Sequence, residues 1–135
     1  NNDGLDAAVL FIDKGRRKAL FSGANADLFI ASKSKLVEDP GNNMPVGYYY
    51  LMEPFTTKEI ALTLDDCLYL GSDGYADQFG GPNNKKFRVK ELKNLLLQIS
   101  DKPLEQQKNI LECSFDAWKG DNPQIDDMLI LGIKI

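Results

Sequence analysis

YLGSDGYADQFGG, residues 69–81, is an apolar run that stops at Gly71-Ser72-Asp73-Gly74 and then turns polar. It reads as the end of a strand, Cys67 to Leu70, with an aspartate just past it and a glycine next. Asp73 is then either the polar corner of a turn or a carboxylate held at a strand end for chemistry. Ser-Asp-Gly is a common turn, and spacing alone favours that reading. Upstream, TTKEIALTL (56–64) alternates polar and apolar residues as a half-buried strand does, and LDD joins it to CLYLGSDG (67–74), which predicts an antiparallel hairpin. Downstream, Leu92, Leu95, Leu96 and Ile99 follow Phe87 at the i, i+3, i+4, i+7 spacing of an amphipathic helix. SDKPLEQQKNILECSFDAWK (100–119) predicts a second helix, with Asp101 as N-cap, Pro103 and Glu105 in the first turn, and Leu104, Leu111, Phe115 and Trp118 on one stripe. GDNPQ (120–124) breaks it, and IDDMLILGIKI (125–135) closes the chain as an apolar strand from Met128, preceded by two aspartates.

Toward the N-terminus, DAAVLFID (6–13) is apolar at consecutive positions, which predicts a central strand covered on both faces. DKGRR (13–17) turns it into KALFSGA (18–24) as a hairpin, Asn25 and Ala26 reverse the chain, and a short strand follows at Leu28 to Ala31. SKSKLVEDPGNNMPVG (32–47) is rich in turn formers and reads mostly as loop, and YYYLMEPF (48–55) is expected to cross back to the core, with Tyr48 to Tyr50 half-buried. Five to seven antiparallel strands, two adjacent helices and a last strand define an α+β layered domain. A strand that reads as central at the very start of the chain predicts an N-terminal truncation.

The composition narrows the chemistry. The chain has 135 residues, 43% of them apolar, and one domain with a core is expected. Sixteen Lys and Arg against twenty Asp and Glu give a net charge of −4, with no basic block, so nucleic acid and anionic membrane are poor partners. No apolar run reaches the roughly 18 residues of a spanning helix, and the first residues lack the basic region of a signal peptide. A cytoplasmic chain, or a cytoplasmic piece of a larger membrane-attached protein, is expected. Cys67 and Cys113 sit in apolar contexts without C-x-x-C spacing or the following Arg of a cysteine phosphatase, and read as buried thiols. There is no histidine, which excludes Ser-His-Asp triads, H-E-x-x-H zinc sites and phosphohistidine relays within this chain. Catalysis would rest on carboxylates, Lys or oxygen-loving metals.

Asp73 ends one strand and Asp126 precedes another. Neighbouring antiparallel strands bring such positions to one rim, and convergent aspartates suit Mg²⁺ or Mn²⁺, which prefer carboxylate oxygens and retained waters. Asp65, Asp66 and Asp77 read as turn or surface residues, and Asp127 likewise. GGPNNKK (80–86) lacks the spacing of a P-loop and reads as a solvated loop.

Taken in order, DGLDAAVLFID, GANADLFI, MPVG, LDDCLYLGSDGYADQFGG and DDMLILGI resemble the metal-dependent protein serine/threonine phosphatases (PPM), specifically the bacterial stage II sporulation protein E (SpoIIE) branch. The two helices fall between the Ser-Asp-Gly and Asp-Asp segments, as the resemblance requires. It implies a partial α-β-β-α sandwich, with residues 1–135 the C-terminal portion of a single phosphatase domain. It also implies Asp73 and Asp126 as ligands of Mn²⁺ or Mg²⁺, two ions in the complete domain and weak or none here. Asp77 falls where some members carry a further acidic residue. The implied reaction is in-line attack of a metal-activated water on a phosphorylated protein, without a cysteine or histidine nucleophile. The family's first metal motif has no equivalent in this chain, so little activity is expected of it alone. Asp27 stands where the family often has Gly. A phosphorylated protein substrate, an upstream sensory or regulatory domain, and self-association through an uncovered apolar face are the expected partners. The alternative is a non-catalytic regulatory or protein-binding module with a degenerate phosphatase fold.

Overall fold

The hairpin at the start of the chain forms over its whole register, with Ala7 opposite Ala24 and Asp13 opposite Lys18. The computed structural model describes residues 3–135. Along it run β1 (Gly4–Leu5), β2 (Ala7–Asp13), β3 (Lys18–Ala24), β4 (Leu28–Ser32), β5 (Lys35–Asp39), β6 (Val46–Gly47), β7 (Lys58–Ala61) and β8 (Cys67–Gly71). There follow α1 (Gly74–Asp77), β9 (Phe79–Gly80), β10 (Lys85–Lys86), α2 (Val89–Ile99), α3 (Leu104–Lys119) and β11 (Ile130–Lys134). Two sheets dominate, one ordered β2-β3-β7 and the other β11-β8-β4-β5, and every strand pairing within them is antiparallel.

The period of two along each strand explains the layers. Leu28 and Ile30 of β4 and Leu68 of β8 join Ala19 and Phe21 of β3 in a core between the sheets. Ala31 of β4 with Cys67 and Tyr69 of β8 point the other way, into a second core under Leu92, Leu96 and Ile99 of α2 and Leu111 and Phe115 of α3. The order is therefore sheet, sheet, helices, an α+β arrangement.

Several expectations change in three dimensions. Among the described residues β2 lies at the edge of its sheet, where a central strand was expected: Leu10 and Ile12 pack inward, while Val9 and Phe11 are 68% and 61% exposed. Its continuous apolar sequence suits cover on both faces, but among the described residues only the inner face is covered. β7 and β8 do not form a hairpin, because β7 pairs with β3 and β8 lies between β4 and β11 in the other sheet. The Leu64-Asp65-Asp66 turn is instead a crossing between sheets. Within 32–47, Lys35–Asp39 is a strand that pairs with β4. The two turn residues, Lys33 and Ser34, take φ of 47° and 65°, the left-handed pair that a tight hairpin needs, without the glycine or asparagine that usually signals it. Residues 48–55 do not return to the core: Tyr48 and Tyr50 are exposed, as are Leu51 and Met52. Pro103, not Asp101, occupies the N-cap position of α3 and makes no side-chain cap, because a turn through Lys102 precedes the helix. The stripe on α3 buries Leu111 and Phe115 around Gln107, with Leu104 at the exposed margin. The last strand begins at Ile130, two residues later than expected. Cys67 is buried, whereas Cys113 is exposed on α3.

Asp66 is buried, not a surface residue. Its carboxylate accepts the Thr63 N–H at 2.8 Å and the Thr63 hydroxyl at 2.7 Å, fixing the crossing between sheets. Burial pushes this carboxyl up, and hydrogen bonds from Ser32 and Thr63 outweigh that push, so its net shift is downward. Because the folded value lies below the unfolded one, Asp66 contributes stability that is present above about pH 4 and lost as pH falls through the folded value. Asp66→Ala is expected to cost about 2 kcal/mol at neutral pH, since it leaves Thr63 donors unpaired. The gap from wild type should narrow as chemical denaturation is repeated at falling pH.

Candidate metal centre

β8 ends at Gly71, and the next residue ties this strand end to the segment before β11. The Ser72 N–H donates to the Leu129 carbonyl at 3.0 Å, its hydroxyl donates to the Asp127 carbonyl at 2.9 Å, and the same oxygen accepts the Leu129 N–H at 3.0 Å. Gly74 is pressed against that segment so closely that a Cβ on it would lie 2.2 Å from the Asp127 carbonyl oxygen. Backbone 71–74 and backbone 127–130 are thus in direct contact, which sets Asp73 and the Asp126–Asp127 pair on one rim. All three side chains are exposed.

Asp73 occupies the N-cap position of α1 without a side-chain capping bond. Asp126 is set by its neighbours, its Oδ1 accepting the Asp127 N–H at 2.7 Å and its carbonyl accepting Gln124 Nε2 at 2.9 Å. Asp77 lies one turn after Asp73, half-buried, with its carboxylate 3.1 Å from Lys86 Nζ of β10. The sequence-predicted set is therefore divided: Asp73 and Asp126 stand on adjoining segments with exposed side chains, and Asp77 faces a cation. Ser72, which joins the two segments, escaped the sequence reading because a serine before Asp-Gly carries no signal of a partner 55 residues away.

On the Asp73 side lies a recess of about 400 Å³ bounded by Asp6, Asn25, Ser72, Asp73 and Leu129. Asn25 turns the chain at φ 49° and its side chain donates to Asp6 Oδ1 at 2.9 Å. Asp27 accepts the Gly41 N–H at 3.1 Å, so its carboxylate serves the turn. Behind the rim, Tyr75 anchors α1. Its ring meets Phe87 and Phe115 at centroid distances of 5.2 and 5.1 Å, and its hydroxyl donates to the Leu111 carbonyl at 2.8 Å. Burial first, and then the negative charge of Asp116, push the Tyr75 hydroxyl up to about 12 from 10.0. A raised value means stability complete below about pH 10 and lost as pH rises toward 12. Tyr75→Phe is expected to cost about 1 kcal/mol at pH 7 through the lost hydrogen bond and to lessen the alkaline decline in thermal midpoint.

The donors on the rim are oxygens only, the type Mg²⁺ and Mn²⁺ prefer. They fit part of such a site: among the described residues no group of three or more His, Cys, Asp or Glu is arranged to hold an ion.

Comparison with curated proteins finds no match. Among solved structures, the chain is similar to the SiaA-PP2C domain of Pseudomonas aeruginosa, with 26% identity, a TM-score of 0.90, and coverage of 96% of this chain and 51% of that one. It also resembles the phosphatase domain of the cell fate determinant SpoIIE from Bacillus subtilis, presoaked with Mn, with 18% identity, a TM-score of 0.70 and coverage of 96% and 56%. RsbX in complex with magnesium matches at 18% identity and a TM-score of 0.60, with coverage of 96% and 55%. At such identities the last two show a shared fold. The chain spans about half the length of these solved structures. Residues 3–135 match the family model of stage II sporulation protein E. With that match running along the two sheets, the helices and the aspartate rim between β8 and β11, the chain belongs to the SpoIIE family.

Proposed function

We propose that the chain is the C-terminal portion of a metal-dependent protein serine/threonine phosphatase domain, in which Asp73 and Asp126 hold Mn²⁺ or Mg²⁺. The observation that supports this is the Ser72 junction, which joins the strand end before Asp73 to the segment just after Asp126. When bound, such ions activate water and neutralise charge on the phosphoryl oxygens. The chain's own part is to present two exposed carboxylates on a backbone held by Ser72, Gly74 and Tyr75, beside a recess that admits a phosphorylated side chain. A further carboxylate from an upstream segment completes the ligand set, a reading supported by the half-length match to phosphatase structures and by the absence of a third ligand among the described residues. The substrate is a phosphoserine or phosphothreonine protein, and an upstream regulatory domain controls the reaction in the cytoplasm. No helix among the described residues is long and apolar enough to cross a membrane.

Titration calorimetry tests the metal assignment. This chain by itself is expected to bind Mn²⁺ with a Kd of about 10⁻³ M or weaker, as two monodentate carboxylates with their waters would. Micromolar affinity, with p-nitrophenyl phosphate hydrolysis by this chain alone, would sink the claim that an upstream ligand is needed. A second reading, a non-catalytic binding module of the same fold, is favoured by the Asp77–Lys86 pair, which commits one candidate carboxylate to a cation. Full-length protein that neither binds Mn²⁺ nor hydrolyses p-nitrophenyl phosphate would establish that module.

A further inference from the structure

Gln78, the residue after α1, is fully buried at 0% exposure. Its side-chain amide donates twice, to the Phe79 and Pro123 carbonyls, each at 3.0 Å. Its own backbone carbonyl accepts the Phe87 N–H and the Trp118 indole N–H, both at 2.9 Å. One residue therefore ties the end of α1 to the end of α3 and to the segment that leads into β11.

That segment needs an external hold. Residues 123–129 belong to no helix or strand, so no ladder of hydrogen bonds sets their shape. Gln78 grips the segment at Pro123, and Ser72 grips it at Asp127. Asp126 hangs between these two points, with Gln124 holding its carbonyl. Proline at the first grip has a fixed φ, so the hold passes into the chain with little slack. Gln78 Oε1 has no hydrogen-bond partner among the described residues, so the amide serves this buried place through its two donors. An unpartnered buried acceptor is costly, and the two bonds its amide donates, one of them to Pro123, are what it holds in return.

We infer that Gln78 is a positioning residue for the metal rim, setting Asp126 relative to Asp73 through Pro123, an inference that rests on the proposed metal role of these aspartates. It touches neither metal nor substrate and acts through the Asp126 segment. Residues that orient metal ligands from behind typically change affinity by about ten- to a hundredfold when replaced.

The test measures Mn²⁺ affinity of the full-length protein by calorimetry, with free Mn²⁺ followed by electron paramagnetic resonance. Gln78→Met keeps volume and removes both amide donors. Trp118→Phe removes a hydrogen bond to the same hub and leaves the Pro123 grip in place. Gln78→Met is expected to weaken Mn²⁺ binding about tenfold, and Trp118→Phe to change it less than about twofold at a comparable loss of thermal midpoint. Equal effects of the two variants, or Gln78→Met within about twofold of wild type while Asp73→Asn abolishes binding, would overturn the inference and leave the metal assignment standing. Wild-type protein that binds no Mn²⁺, or binding indifferent to Asp73→Asn, would overturn both. Should Gln78→Met not fold, Pro123→Gly at an exposed position loosens the gripped end, and the same tenfold weakening supports the inference while an unchanged affinity overturns it.

Discussion

Asp73→Asn in the full-length protein is expected to lower p-nitrophenyl phosphate hydrolysis by roughly a thousandfold, since a bound cation contributes several kcal/mol to a phosphoryl transition state and each 1.4 kcal/mol is about tenfold. The amide keeps the shape of the side chain and removes the charge a hard cation needs. The fold should hardly register the change. Asp73 is exposed and makes no side-chain cap to α1, so its thermal midpoint should correspond to wild type within about 0.5 kcal/mol. Activity lost with the fold intact is the signature of a ligand. Activity retained at saturating Mn²⁺ would remove Asp73 from the site.

Gly74→Ala should do the reverse, damaging the fold and the rim together. The added Cβ would meet the Asp127 carbonyl oxygen at 2.2 Å, its carbonyl carbon at 2.8 Å and Met128 Cα at 3.3 Å. All three atoms are backbone, so no side chain can swing aside. Alanine is the better helix former by about 1 kcal/mol, but α1 has only four residues, and the contact decides the sign. Relief requires segments 71–74 and 127–130 to part by about 1 Å, a gap that stretches the Ser72 hydrogen bonds beyond useful length. Overpacking of this kind costs about 3 kcal/mol or more, which in a chain of this size corresponds to a fall of roughly 10 °C in thermal midpoint. Mn²⁺ affinity should fall with it, because Asp73 lies on one of the segments being forced apart and Asp126 directly precedes the other. An unchanged midpoint by differential scanning calorimetry would mean that the close approach is absent in solution.

What was legible in the sequence were features governed by neighbours along the chain. β3 runs from Lys18 to Ala24 as its pattern predicts, and α2 buries Leu92, Leu96 and Ile99 as their spacing requires. The strand end at Gly71 with Asp73 beyond it, and the aspartates before the last strand, were also legible, since turn chemistry and periodicity are local. Pairing was not. The Leu64-Asp65-Asp66 turn looks like a hairpin turn in sequence, and nothing local reveals that Asp66 is buried against Thr63 and sends β8 into another sheet. The β4–β5 turn hides for the opposite reason, because Lys33 and Ser34 adopt a conformation their chemistry does not favour, held by five cross-strand pairings. The aromatic run Tyr48 to Tyr50 reads as half-buried packing by composition, and only Tyr49 is half-buried while Tyr48 and Tyr50 are exposed, since burial depends on what other segments cover.

The sequence by itself determined the α+β class, the two long helices α2 and α3 but not the short α1, and the placing of an aspartate at each of two strand ends, because backbone and side-chain preferences act over a few residues. Only the tertiary structure decided that β8 and β11 are neighbours, that Ser72 and Gly74 lock their ends together so that the segments carrying Asp73 and Asp126 lie side by side, and that Asp77 turns to Lys86. Those outcomes depend on burying two distinct apolar faces at once, a condition that no stretch of the chain satisfies alone.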